Sequence, residues 1–187
     1  MFEDNVKQFT TMKDKNILSN IVVYCPRLSL RLACFTYKLL YMFDTTRPKR
    51  HIYDVVGALW EVHSELGPGL SEDLYKEGFE IELTELGIPF IREALLRPTF
   101  HGKPMKKYYK MDFLCKDDIV VECKGVEALS AEHRAQLFNY MRIKKAIAGI
   151  LVNFTPKEIE LERYFYDIRN MDIVNVYGEV IKSTIRV

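Results

Sequence analysis

The sequence has little net charge and few cysteines. Its 27 basic and 26 acidic side chains leave a formal charge of +1 at pH 7, so bulk charge predicts neither nucleic-acid nor membrane binding. The four cysteines form no CxxC pair and lack the clustered spacing that an iron–sulfur site needs. No signal peptide is evident, and we therefore expect reduced thiols and a cytoplasmic protein.

Long hydrophobic runs are also absent. The best candidate for a membrane span lies within residues 16–43, where four residues interrupt it: Pro26, Arg27, Arg31 and Lys38. Because a span needs about 20 consecutive apolar residues, we expect no membrane partner. Residues 1–48 carry no recognisable chemistry, and we interpret them as an N-terminal extension, either a docking helix or an addition to a complete domain. Residues 44–51, "DTTRPKRH", are typical of a linker.

Two helices are predicted from Ile52 onward. Apolar residues recur at helical spacing up to Leu66, and the glycine and proline of "GPG" end the helix there. Ser71 can cap the next helix, which Gly87 ends. The apolar face of this second helix is formed by Tyr75, Phe79, Leu83 and Leu86.

Strands and helices then alternate. The sequence predicts strands at residues 88–100, 106–115, 118–124 and 146–154, and a helix from Ser130 to about Lys144. A polar turn at 116–118 makes the second and third strands an antiparallel hairpin. This order indicates an α/β protein with a mixed sheet and helices packed against it. Residues 157–168 fit either a strand or a helix, and residues 171–187 fit a final strand or a loose tail.

Three charged residues interrupt the apolar hairpin. Because side chains alternate along a strand, Glu122 and Lys124 share a face, and Asp112 on the neighbouring strand comes close to Glu122. Two adjacent carboxylates repel each other unless a cation lies between them or one is protonated. Oxygen ligands at this spacing suit Mg²⁺ or Mn²⁺, and a nearby lysine can orient an attacking water. Taken alone, the Glu-x-Lys pair also fits a solvent-facing strand edge.

Further polar residues lie on faces that the helical spacing turns inward. Glu72 shares a face with Tyr75, although an acid in the first turn of a helix is also favoured by the helix dipole. Gln136 and Tyr140 are four residues apart and offer an amide to the interior, which also fits a boundary glutamine beside a core tyrosine. His63 lies on the apolar side of its helix, where a hydrogen-bonded core histidine is commoner than a metal ligand.

A lysine-rich segment precedes the first charge of the hairpin. Residues 103–110, "KPMKKYYK", supply Lys106, Lys107 and Lys110 together with two tyrosines. Such a segment could bind a phosphate backbone. It also fits an exposed strand edge, where lysines discourage aggregation.

Several motifs occur together in one order over about residues 50–155. "GLSEDLY" is a G-x-x-E-x-x-Y motif, preceded by "EVHSELGPG" and followed by "MDF", "VVECKGVEAL" and "HRAQLFNYMR". With these motifs the chain resembles the GxxExxY proteins of the PD-(D/E)XK nuclease-like superfamily. Met111 stands where the superfamily pattern has its proline, and residues 1–48 fall outside the resemblance.

The resemblance implies a restriction-endonuclease-like core, which is a mixed four-stranded central sheet flanked by helices, over residues 49–170. It also implies that Asp112 and Glu122 hold a divalent metal and that Lys124 is the catalytic lysine. Lys106, Lys107 and Lys110 would then contact the nucleic acid.

The resemblance also suggests roles for the remaining polar residues. Glu72 matches a first-helix glutamate that adds a metal or water contact, and His63 could bind metal as a first-helix histidine does in some relatives. Gln136 and Tyr140 match a Q-x-x-x-Y helix motif. The implied activity is Mg²⁺- or Mn²⁺-dependent hydrolysis of DNA or RNA. The alternative is a non-catalytic module with the nuclease fold that binds nucleic acid or a protein partner.

Overall fold

The computed structural model describes residues 43–155 and 158–183. Residues 1–42, which contain most of the predicted N-terminal extension, lie outside the described residues. The described residues form four α-helices, α1 (Thr46–His51), α2 (Tyr53–Leu66), α3 (Glu72–Glu85) and α4 (Ala131–Lys144). They also form nine strands, β1 (Phe90–Leu96), β2 (Thr99–Phe100), β3 (Lys103–Pro104), β4 (Tyr109–Cys115), β5 (Ile119–Lys124), β6 (Ala148–Phe154), β7 (Ile159–Asp167), β8 (Asp172–Asn175) and β9 (Val180–Ser183).

Seven of these strands form one mixed sheet. The strand order is β1-β4-β5-β6-β7-β8-β9, and β2 and β3 pair separately. Only β5 and β6 run parallel, and α4 connects them, as a parallel pair requires a long crossover. The prediction of a mixed α/β architecture is therefore confirmed.

The predicted number of four strands was wrong, because the sheet continues past β6. All seven residues of β6 are buried, and this strand pairs on one side with β5 and on the other with β7. Residues 157–168, whose sequence fits either a strand or a helix, contain strand β7. It contributes Phe165 to the core, while β8 contributes Val174. The described part of the predicted C-terminal segment thus forms the last two strands.

The helices cover both faces of the sheet. On one face, Leu59 of α2 and Phe79 of α3 pack against Val121 of β5. On the other face, Leu137 and Met141 of α4 pack against the sheet. A β-carbon on Gly149 of β6 would lie only 2.4 Å from the sulfur of Met141, so only glycine allows α4 to pack this closely. No helix in residues 43–155 or 158–183 is long and apolar enough to cross a membrane.

Two local predictions need correction. The expected linker at residues 44–51 contains α1, in which Pro48 is buried in the first turn, a position that tolerates proline. His51 at the end of α1 binds Asp118 with 2.7 Å between Nε2 and Oδ1, so this segment is attached to the hairpin turn. Leu86 lies beyond the end of α3 and is 53% exposed, so the apolar face of this helix ends at Leu83.

Candidate active site

The charged residues of the β4–β5 hairpin meet the first turn of α3. Asp112 lies on β4, Glu122 and Lys124 lie on β5, and Glu72 is the first residue of α3. The meeting point is at the carboxyl end of β5, next to the parallel strand β6. Crevices beside the carboxyl ends of parallel strands are common positions for ligand sites in α/β proteins.

Asp112 and Glu122 are linked across the hairpin by hydrogen bonds from backbone amides. Asp112 Oδ2 accepts from the amide of Cys123 at 2.9 Å, and Glu122 Oε1 accepts from the amide of Asp112 at 3.3 Å. The backbone pairing of β4 with β5 runs only from Phe113↔Val121 to the turn. Past that point the carboxylates bind backbone amides of the neighbouring strand. The two acids are therefore adjacent, as the hairpin pattern predicted.

Glu122 is a buried carboxylate. The residue is 1% exposed, and its Oε2 accepts a hydrogen bond from Lys124 Nζ at 3.1 Å. Burial raises the pKa of Glu122 to about 7; the charge of Asp112 adds to this rise and Lys124 opposes it. This burial excludes the alternative that Glu122 and Lys124 form an ion pair on a solvent-facing strand edge.

Lys76, which the sequence analysis did not single out, bridges two of the acids. Its Nζ lies 2.5 Å from Glu72 Oε1 and 2.9 Å from Asp112 Oδ1, and its side chain is 15% exposed. Burial lowers the pKa of Lys76, but hydrogen bonds to Asp112 and Glu72 outweigh this effect and raise it above the ordinary value. The available sequence signal was the spacing of four residues from Glu72, which is also typical of an exposed helix pair.

The second oxygen of Glu72 binds the end of β5. Oε2 accepts a hydrogen bond from the amide of Gly125 at 3.0 Å. A β-carbon on Gly125 would lie 3.2 Å from the Glu72 β-carbon, so glycine is the residue that best allows this approach. Glu72 therefore joins α3 to the residue that follows Lys124.

Tyr75 fixes the loop that leads into α3. The side chain is fully buried and stacks on Phe154, with 4.2 Å between the ring centroids. Its hydroxyl donates to the Gly67 carbonyl at 2.6 Å and accepts from the Leu70 amide at 3.2 Å. The tyrosine of the G-x-x-E-x-x-Y motif thus holds the loop just before Glu72.

Gln136 and Tyr140 on α4 contact the start of β4. Gln136 Nε2 donates to the Tyr140 hydroxyl at 2.8 Å. The Tyr140 ring packs on the ring of Tyr109, with 5.5 Å between the ring centroids. Burial raises the pKa of Tyr140. The Tyr140 hydroxyl also lies 3.5 Å from the carbonyl oxygen of Lys110, two residues before Asp112. The pair is thus beside the acids, although no described hydrogen bond joins it to them.

His63 does not join the acids. Within residues 43–155 and 158–183, its Nε2 is buried without a hydrogen-bond partner, and no ion pair links it to Glu72, Asp112 or Glu122. The same residues contain no group of three or more histidine, cysteine or acidic side chains that could hold a metal ion. Within the described residues, His63 is thus neither hydrogen-bonded through Nε2 nor paired with these acids, and its assignment as a metal ligand stays a prediction.

Asp112 and Glu122 are the residues of this site that could hold a divalent cation. Their oxygens are hard ligands, and burial together with the negative charge of Asp112 raises the pKa of Glu122, which is a like-charge repulsion that a cation would reduce. Mg²⁺ is commonly bound through one or two carboxylates, with waters and substrate phosphates completing the shell. Two carboxylates can therefore be enough for such an ion, and Lys76 already binds both Glu72 and Asp112.

Asn153 is a second residue that the sequence analysis missed. It is fully buried on β6; its Oδ1 accepts from the Val126 amide and its Nδ2 donates to the Val126 carbonyl, both at 3.0 Å. These two bonds fix the loop that follows Lys124. The signal was one amide in the otherwise apolar run "AIAGILVNF".

The lysine-rich segment lies on the surface next to β4. Lys106 and Lys107 are exposed in the loop before this strand, whereas Lys110 pairs with Glu93 at 2.9 Å. Arg97 lies over the ring of Tyr108, 5.8 Å from its centroid. The segment therefore presents positive charge together with exposed aromatic rings.

A family model described as the PD-(D/E)XK nuclease superfamily matches residues 49–164, which is more than half of the chain. The chain therefore belongs to this superfamily, whose members are usually nucleases and generally use divalent metals. The match includes every residue of the site described above.

A search of the curated proteins finds no match. Among the solved structures, the chain is similar to the crystal structure of SSO0001, with 22% sequence identity and a TM-score of 0.39. The similarity covers 64% of this chain and 60% of that chain, so this chain spans less than two thirds of that protein's length.

Proposed function

We propose that this chain is a metal-dependent nuclease of the GxxExxY type, which hydrolyses phosphodiester bonds in DNA or RNA. The observation that carries the proposal is Glu122, a carboxylate 1% exposed that lies beside Asp112 and binds Lys124 through its second oxygen. Burying one carboxylate next to another destabilises the fold, and perturbed acids of this kind are concentrated at functional sites.

Each residue of the hairpin has a proposed role. Asp112 and Glu122 would hold Mg²⁺ or Mn²⁺, which when bound supplies Lewis-acid polarisation of a phosphate oxygen and lowers the pKa of a water. Lys124 orients the attacking water and offsets the negative charge that develops on the phosphate. Its hydrogen bond to Glu122 holds the ammonium in place for this task.

Other residues would hold the substrate. Gln136 and Tyr140 contact the substrate or its water network from α4, beside the start of β4. Lys106, Lys107 and Lys110 would bind the phosphate backbone, so binding should weaken as the salt concentration rises.

A non-catalytic nuclease-fold module is the second candidate. It is favoured by Lys76, which already neutralises part of the charge on Glu72 and Asp112 without any metal. In this case the fold would bind nucleic acid or a protein partner and leave it uncut.

The test is cleavage of labelled DNA and RNA, each single- and double-stranded, by the full chain. We expect cleavage with Mg²⁺ or Mn²⁺ and none with EDTA. The melting temperature should also rise with Mn²⁺, because a ligand that binds only the native state stabilises it by mass action. If no substrate is cut and millimolar metal leaves the melting temperature unchanged, the non-catalytic candidate is favoured.

A further inference from the structure

Lys76 occupies a position between two carboxylates where a cation is needed. Its ammonium contacts Glu72 Oε1 at 2.5 Å and Asp112 Oδ1 at 2.9 Å. The remaining oxygens of these acids accept from the amides of Gly125 and Cys123. All four oxygens of Glu72 and Asp112 therefore have a partner supplied by the chain itself.

Asp112 lies between two different charge environments. On one side it shares Lys76 with Glu72, and on the other its backbone amide binds Glu122, which pairs with Lys124. Enzymes that use two metal ions on phosphate substrates place them about 3.5–4 Å apart. An acid with a carboxylate neighbour on each side, as Asp112 has here, is suited to contact two cations.

We propose that the Lys76 ammonium takes the place of a second divalent cation between Glu72 and Asp112, so that this site binds one metal ion. The inference rests on the proposed function, because the single ion is the one held by Asp112 and Glu122. Lys76 lies on α3, four residues after Glu72, so its positive charge is present between Glu72 and Asp112 without any ligand being bound. A second divalent ion would have to displace that charge or lie close beside it, which is electrostatically costly.

The arrangement also assigns Lys76 a part in the reaction. A fixed ammonium beside Asp112 would hold this carboxylate in place for the metal ion. Lys76 would then be a positioning residue that acts through Asp112.

The test is the number of Mn²⁺ ions bound per chain, measured on the full chain by calorimetry and by electron paramagnetic resonance. We expect about one ion for the parent and about two for Lys76→Met, which opens the place between Glu72 and Asp112. Lys76→Arg keeps the positive charge and should bind one ion. Lys144→Met, which removes a lysine paired with Asp117 at the hairpin turn, is the matched control and should also bind one.

The possible results are distinguishable. Two ions on the parent, or the same number and affinity for Lys76→Met as for the parent, would overturn the role of Lys76. No binding to the folded parent would overturn the proposed metal site itself. If Lys76→Met fails to fold by its melting curve, Lys76→Gln replaces it, because its amide donates hydrogen bonds without the charge.

Discussion

The two ends of the β4–β5 hairpin have the same kinds of residues but different environments. Each end carries two acids and one lysine. At the turn, every charged side chain pairs with a different helix. The pairs are Lys116 with Asp54 of α2, Asp117 with Lys144 of α4, and Asp118 with His51 of α1.

At the end of the hairpin opposite the turn, here called the open end, lie Asp112, Glu122 and Lys124, and the two acids are adjacent. The backbone amide of Asp112 donates to the Glu122 carboxylate across the strands, and Glu122 is 1% exposed, whereas the side chain of Asp117 is 84% exposed. Ion pairs alone therefore do not distinguish a site from a structural contact. Burial of one acid beside another indicates a site instead, because this repulsion destabilises the fold unless a ligand or a cation offsets it.

The largest difference between the two ends, in Mn²⁺ affinity and in cleavage, should come from removing the charge of one acid at each end. Asp112→Asn keeps an oxygen for the Cys123 amide but removes the charge, so we expect Mn²⁺ affinity to fall by more than about 100-fold, since even indirect partners of a metal ligand contribute 10- to 100-fold. Cleavage should be lost together with metal binding. Calorimetry and the nuclease assay measure the two effects.

Asp117→Asn at the turn is the matched control for this acid. It should bind Mn²⁺ and cut nucleic acid like the parent, because the Asp117 side chain is 84% exposed and pairs with Lys144 rather than with the acids of the site. Cleavage by Asp112→Asn at the parental rate would mean that the open end is not the catalytic site.

The second effect separates Lys124 from the acids. Lys124→Met keeps much of the side-chain length and should lower kcat by about 10²–10³-fold, the loss expected when one group that stabilises the transition state is removed. Metal affinity should not fall, and it should rise if removal of the positive charge near the cation dominates. Lys144→Met provides the comparison at the turn end and should leave both quantities unchanged.

Parental cleavage by Lys124→Met would contradict its role on the water. A fall in metal affinity that equals the fall in kcat would assign Lys124 to organising the acids instead. Lys124→Met and Lys144→Met should both show a cooperative melting transition, measured on the samples used for the metal titration.

Much of the site could be predicted because its residues break local patterns. Asp112, Glu122 and Lys124 interrupt apolar strands, and the turn between those strands fixes their register. Lys76 gave no such signal, since a lysine four residues after a glutamate is ordinary on a helix surface. Its role depends on where the first turn of α3 lies relative to β4, which is a tertiary property.

The sheet shows the same division between local and tertiary information. β4 and β5 follow from alternation and a polar turn, and the apolar run of β6 indicates burial on both faces. A strand buried in this way needs a neighbour on each side, yet nothing local tells whether residues 157–168 supply it. The prediction of four strands was wrong for that reason.

A smaller effect should appear in the pH dependence of stability without metal. The pKa of Glu122 is raised to about 7 in the folded state, mainly by burial, from an ordinary value of 4.5. Between these pH values the native state keeps a proton that the unfolded state has released. The free energy of unfolding should therefore fall as pH rises from about 4.5 to about 7, by at most about 1.4 kcal/mol per pH unit.

Urea unfolding in EDTA across this range measures the effect. Glu122→Gln carries a neutral amide at every pH and should lose this part of the decline. An unchanged pH profile in the variant would show that Glu122 is already ionised in the folded protein at pH 4.5.

The smallest effect should come from the lysine at the turn. Lys116 binds both oxygens of Asp54, at 2.7 and 2.6 Å, and the carbonyl oxygen of His51 at 3.1 Å. Because the Asp54 side chain is 45% exposed, solvent screens the pair, and Lys116→Met should lower the free energy of unfolding by about 1 kcal/mol or less. Cleavage and Mn²⁺ binding should stay as in the parent. Urea unfolding and the nuclease assay test this together, and a loss of cleavage in the folded variant would show that the turn end also contributes to the site.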